Sequence, residues 1–267
     1  EFRPVVTYLV FGSNLSAGYD VTDDLSVGGY GQLAFGLLEF GTVSTTSLKN
    51  DFGVRGGVGL TYDLGQVMLG ANYDSELSLE FERVTETDQN VFTDVPLQQP
   101  RNLQIGFATT DKLSEKWLFE VNGIYKNWDN ADGFQDLWQD QYILQTGGQY
   151  ELNDRLRLRA GYNYASDLQK DADELGSTIG NVGSLALGGP GDPATTLNPT
   201  RVGIVQSTLT QPFWQQQVSA GFGYDFTDDM TLDMNAAYSF DGDRQINNNE
   251  LNNINILTIT AGLSWEF

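Results

Sequence analysis

Apolar and polar residues alternate along most of this chain, and the closing stretch shows the pattern without a break. Phe267, Trp265, Leu263, Ala261, Ile259 and Leu257 fall on one face, while Glu266, Ser264, Gly262, Thr260 and Thr258 fall on the other. That is the period of two of an extended strand. A strand of about 10 residues tilted by about 45° crosses a bilayer. The same alternation recurs upstream. Leu15, Ala17, Tyr19 and Val21 oppose Ser16, Gly18 and Asp20, and Leu25, Val27, Leu33 and Phe35 follow. Val54, Val58, Leu60 and Tyr62 lead through Leu64-Gly65 into Val67, Leu69, Ala71 and Tyr73. Further segments center on Leu103 to Phe107, Trp117 to Tyr125, Tyr142 to Leu152, Leu156 to Tyr164, Val218 to Phe226 and Leu232 to Phe240. The pattern predicts an all-β chain of about 11 strands.

The connections sort into two kinds that alternate. Short polar turns fall near Asp23, Gly65, Lys112, Asp154 and Asp228, and longer ones run from Glu39 to Asn50, Arg83 to Pro100, Asn127 to Gln141, Ser166 to Pro212 and Asp241 to Asn253. Short turns on one rim and long loops on the other predict a transmembrane antiparallel β-barrel of outer-membrane type, a single domain over 1–267 with a long external loop at 166–212. Aromatic residues gather where two interfacial girdles would need them: Tyr19, Tyr62, Tyr150, Phe226 and Phe267 by the short turns, and Tyr73, Tyr125, Trp128, Tyr164 and Tyr238 by the long loops.

Composition adjusts this picture in a few places. The 267 residues contain no Cys and no His, so a disulfide framework and an ordinary zinc site are excluded. No run of 18 apolar residues marks a membrane helix, and the mean hydropathy of −0.31 says little about a barrel, whose two faces cancel each other's signal. The formal charge of −22 speaks against nucleic acid as a partner, since phosphates need a basic surface. Its plainest reading is a solvated acidic exterior.

The face opposite the apolar one carries Arg55, Glu120, Asn122, Gln145, Gln149, Glu151, Arg157, Arg159, Asn163 and Asp233, which predicts a polar interior. Arg55, Glu120, Glu151, Arg157 and Arg159 read as a lumenal charge ladder that holds the wall together. No spacing singles out a catalytic set, and without His the general acid–base chemistry of barrel hydrolases lacks its usual residue. No enzymatic activity, cofactor or metal is expected. Asp129, Asp132 and Asp136, and likewise Asp241, Asp243 and Glu250, could offer oxygen to calcium, but neither group has EF-hand spacing and both read better as solvated acids.

From Gln99 onward the chain resembles a known family. Pro100-Arg101-Asn102-Leu103-Gln104-Ile105-Gly106, Trp117 to Tyr125 with Trp128, Tyr150, and Leu156 to Tyr162 are similar to the wall of the FadL-type outer-membrane transporters of long-chain fatty acids and hydrophobic compounds. Gly53 to Tyr62 with Gly70, Tyr73, Ser75 and Phe81 resembles the preceding hairpin, and Phe213 to Phe267 the last three strands. The resemblance covers only the later strands of that barrel. It implies a 14-strand, FadL-like whole, of which an N-terminal hatch and about three strands would lie upstream. The family's hatch and its kinked early strand have no counterpart here, so the substrate-binding residues stay unassigned.

What the resemblance implies is passive, porin-like uptake of hydrophobic small molecules such as long-chain fatty acids across the bacterial outer membrane. Its partners would be membrane lipid, a hydrophobic ligand, and the barrel assembly machinery reading Phe267 and Trp265. The alternative is a structural or adhesive surface barrel that presents its long external loops to a partner. One geometric expectation stands apart from the family: with an odd strand count, the first and last strands run the same way. Conventional antiparallel closure between them is therefore ruled out, and a partner segment or chain is expected at the open seam.

Overall fold

The computed structural model describes residues 4–42, 45–88, 91–135, 138–168, 170, 215–227, 229–240, 244–246, 249–251 and 255–265. Extended backbone dominates: β1 (Pro4–Asp20), β2 (Leu25–Thr42), β3 (Thr45–Asp63), β4 (Val67–Asp74), β5 (Leu77–Asp88), β6 (Val91–Gln99), β7 (Asn102–Thr109) and β8 (Trp117–Lys126). After them come β9 (Gln141–Asn153), β10 (Leu156–Ala165), β11 (Gln216–Thr227), β12 (Met230–Phe240), β13 (Arg244–Ile246), β14 (Asn249–Leu251) and β15 (Ile256–Trp265). Among the described residues no helix is long and apolar enough to cross a membrane.

Among the described residues one sheet of 11 antiparallel strands forms the wall, in the order β1-β2-β3-β4-β7-β8-β9-β10-β11-β12-β15. Local chemistry sets its short turns. Thr22 Oγ1 accepts from the Leu25 amide at 3.0 Å, Asp63 Oδ1 from the Gly65 amide at 2.6 Å, and Asn153 Oδ1 from the Arg155 and Leu156 amides at 3.0 Å. Each side chain closes a turn that the backbone alone would leave unsatisfied. Gly65 also takes φ +88°, which costs glycine little.

Register fixes the two faces. Val27 pairs with Leu60, Leu60 with Ala71, and Ala71 with Ile105, so apolar side chains run across the wall in rows. This face is exposed: Leu15 keeps 83% of its surface, Val54 72% and Ile259 68%. Such a face has no place in water and is what a hydrocarbon surrounding requires. Aromatic pairs stand at both ends of it, Trp117 with Tyr150 at a centroid distance of 4.5 Å and Tyr125 with Tyr142 at 5.3 Å.

β1 pairs with β2 and β15 with β12, and these two strands end the sheet order. An antiparallel row of 11 strands gives its two ends the same direction, as the strand count requires. Phe11–Asp20 and Ile256–Trp265 are exposed on both faces.

The loop expectations need correction in several places. Glu39–Asn50 is not a loop, since β2 continues to Thr42 and β3 begins at Thr45, so the pair forms one long hairpin. Arg83–Pro100 belongs largely to the β5–β6 hairpin, and a small β13–β14 hairpin interrupts 241–253. Trp128 leaves the girdle, because its ring packs on Phe134 and Trp138 inside the β8–β9 connection. Most of the 166–212 loop lies outside the described residues.

Candidate functional site

The polar face carries three features, of which the first stands at the long-loop rim and the other two overlap toward the short turns. At the long-loop end, the β5–β6 hairpin folds back over β1–β3. Its Leu77, Leu79 and Phe81 are almost fully buried; Leu79 and Phe81 pack with Leu38 and Val84, flanked by Tyr8, Val10, Val95 and Leu97. Small residues on the wall admit it. Ala34 is fully buried, and a methyl group on Gly53 would stand 2.6 Å from the Ser78 carbonyl oxygen. The hairpin in turn holds the β8–β9 connection, with the Gln98 amide donating to the Asp132 carbonyl at 2.9 Å and the Asp132 amide to Gln98 Oε1 at 3.1 Å. Asp140 anchors that connection by accepting from Tyr125 Oη at 2.5 Å and from the Asp129 amide at 3.0 Å. Hairpin and connection thus form one cap over the upper polar face.

Below the cap lies the charged part of the wall. Arg55 donates to Gln32 Oε1 at 2.7 Å, while Glu120 accepts from Asn122 Nδ2 at 2.5 Å. Arg157 pairs with Asp225 at 2.5 Å, and Arg159 with Asp233 at 2.6 Å and with Gln149 at 2.8 Å. Glu151 stands directly opposite Arg157 in the β9–β10 register, yet the guanidinium turns the other way. Gly223 explains the choice. It faces Arg157 on β11, and a methyl group there would meet Asp233 Oδ1 at 2.9 Å and the Arg159 guanidinium at 3.5 Å. Bare backbone lets Arg159 lie across β11 to Asp233 on β12, while Arg157 reaches diagonally to Asp225 on β11 itself. Asp225 is a member of the ladder that alternation along the chain does not single out, although Gly221-Phe222-Gly223 opposite Arg157-Leu158-Arg159 is visible as a pattern.

Toward the short turns the polar face opens into two adjoining concavities that share Ala108, Glu120 and Asn122. One, of about 560 Å³, spans β2, β3, β4, β7 and β8 over Gly28, Gly59, Gly70 and Gly106. The other, of about 550 Å³, spans β7 to β12 and reaches Gln145, Gln149 and Arg159.

Of the assembly-signal residues, Trp265 lies opposite Met230 and is 63% exposed, and Phe267 lies outside the described residues. Among the calcium candidates, Asp129 faces Lys170 at 3.0 Å, and Asp136, Asp241 and Asp243 lie outside the described residues.

Neither a family model nor a curated protein sequence matches this chain. Solved structures do. The toluene transporter TodX of Pseudomonas putida superposes with a TM-score of 0.55 at 16% identity, over 97% of this chain and 69% of that one. The toluene transporter TbuX of Ralstonia pickettii gives 0.58 at 14% identity, over 97% and 68%. A FadL homologue of Pseudomonas aeruginosa gives 0.59 at 10% identity, over 88% and 60%.

The wall has the FadL-type fold. In an outer-membrane barrel of this kind the apolar face meets lipid and the polar face lines the lumen. The cap, the arginine pairs and both concavities therefore lie on the lumenal side of the FadL-type wall.

Proposed function

We propose that this chain forms the wall of a bacterial outer-membrane channel that admits small hydrophobic molecules passively. The observation that carries the reading is the wall itself: 11 antiparallel strands with one apolar exposed face, superposing on toluene transporters over 97% of the chain. The lumenal concavities supply volume for a small molecule. Long-chain fatty acids and neutral hydrocarbons are both cargo of the right body and differ in their head group. No charge transfer or bond chemistry is required of the protein, because a channel needs only to lower the barrier to crossing.

Uptake of a labeled alkylbenzene and a labeled long-chain fatty acid, compared between cells with and without the full-length gene, tests this reading. Faster entry of at least one compound is expected with the gene. Equal rates for both would sink the proposal.

A further inference from the structure

Gly70 poses a physical question. It sits inside β4 with no left-handed backbone, and a methyl group added to it would meet nothing within 4 Å. Neither packing nor conformation demands glycine there, and glycine in a strand interior costs stability. Gly53 shows the contrast, since the hairpin presses directly on it. What Gly70 does provide is empty volume, because it lines the concavity of about 560 Å³ on the lumenal face. Gly70 is paired with Gly106, and Gly28 with Gly59, so glycines of adjacent strands share the same floor, with the Asn122 side chain lying over Gly106 and Asn72 beside Gly59. Met68 adds a soft apolar wall, and Asn72 and Gln104 add amides.

The electrostatics of the concavity are one-sided. Of the residues that line it, only Glu120 is charged. Its Oε1 accepts from Asn122, and a carboxylate can accept about four hydrogen bonds, so capacity for a ligand donor remains. Arg159 reaches the adjoining concavity instead, where Asp233 and Gln149 take its guanidinium. The chain as a whole carries −22.

Resting on the channel reading above, we infer that this glycine-floored concavity is a cargo station selective for uncharged molecules whose apolar body bears a hydrogen-bond donor, as in an alkylphenol, and that Glu120 sets this selectivity. The body lies on the glycine and Met68 surface, and the hydroxyl donates to the Glu120 carboxylate, a charge-assisted bond stronger than a neutral one. A carboxylate head group of the same length meets a like charge with no cation among the lining residues, and like-charge juxtaposition is costly.

The test uses three compounds with one tail: 4-octylphenol, octylbenzene and 4-octylbenzoate. Binding to the purified full-length protein is followed by calorimetry, and uptake by cells carrying it. The phenol should bind tightest, and the benzoate at least about tenfold more weakly. Glu120→Gln should narrow the gap between phenol and benzoate. Gly70→Ile should weaken binding of all three with the fold retained, whereas Gly31→Ile, on the lipid-facing side and also free of neighbors within 4 Å, should change nothing. Benzoate binding equal to phenol binding, or Gly70→Ile binding as the parent does, would overturn the inference. If no compound enters faster with the gene, the channel reading falls, and the calorimetry still decides the station.

Discussion

The upper and lower lumenal faces of β2–β4 use glycine for opposite ends. Above, Gly36 and Gly53 lie under the β5–β6 hairpin, where an added methyl group would stand 2.6 Å from a Leu79 methyl carbon or from the Ser78 carbonyl oxygen. Below, Gly70 looks into open space. The first pair makes room for protein and so contributes to stability. The second leaves room for something else and contributes little to it. Composition alone cannot tell these roles apart, because what separates them is whether a neighboring element covers the residue.

The sharpest way to break the comparison is to attack the covering element. Phe81 is fully buried, with its ring set edge-on to Tyr8 at 6.2 Å. Phe81→Ala should cost about 3–5 kcal/mol, as deletion of a buried aromatic does, read from urea unfolding in lipid vesicles. A loss below about 1 kcal/mol would mean that the hairpin is not packed as described. Next in size is Gly53→Val, which forces the hairpin off the wall and should cost about 1–3 kcal/mol in the same assay. The smallest change belongs to Gly70→Val. It should leave stability within about 0.5 kcal/mol of the parent, or raise it slightly, because valine favors strands. If Gly53→Val and Gly70→Val proved equally costly, the distinction between covered and open glycine would collapse.

Most of the wall was legible in the sequence because alternation reports directly on a sheet with one apolar face. Leu257 to Trp265 is the plainest instance, and β15 follows it. The β5–β6 hairpin was not legible. Leu77, Leu79 and Phe81 alternate as a wall strand would, but they bury themselves against the polar face of other strands, and a local pattern does not say which surface it will find. The charge ladder was legible in part. The sequence placed Glu151 and Arg157 in one ladder without their partners, and the bare surface at Gly223 made the diagonal reach from Arg157 to Asp225 available. Flexible charged side chains go where space and a counter-charge coincide, and space is a property of the neighboring strand. The open concavity left only an indirect trace, glycines in β3, β4 and β7 whose purpose the alternation does not reveal.

The odd strand number also bears on how such a wall can evolve. Barrels grow and shrink most simply by duplication or loss of a hairpin, which changes the count in steps of two. No number of such steps turns 11 strands into a sheet whose ends meet antiparallel. Parity is therefore a property of backbone pairing, indifferent to nearly every side chain. Anything that seals this 11-strand wall in the usual way must itself contribute an odd number of strands, because it is the sum of wall and complement that has to be even.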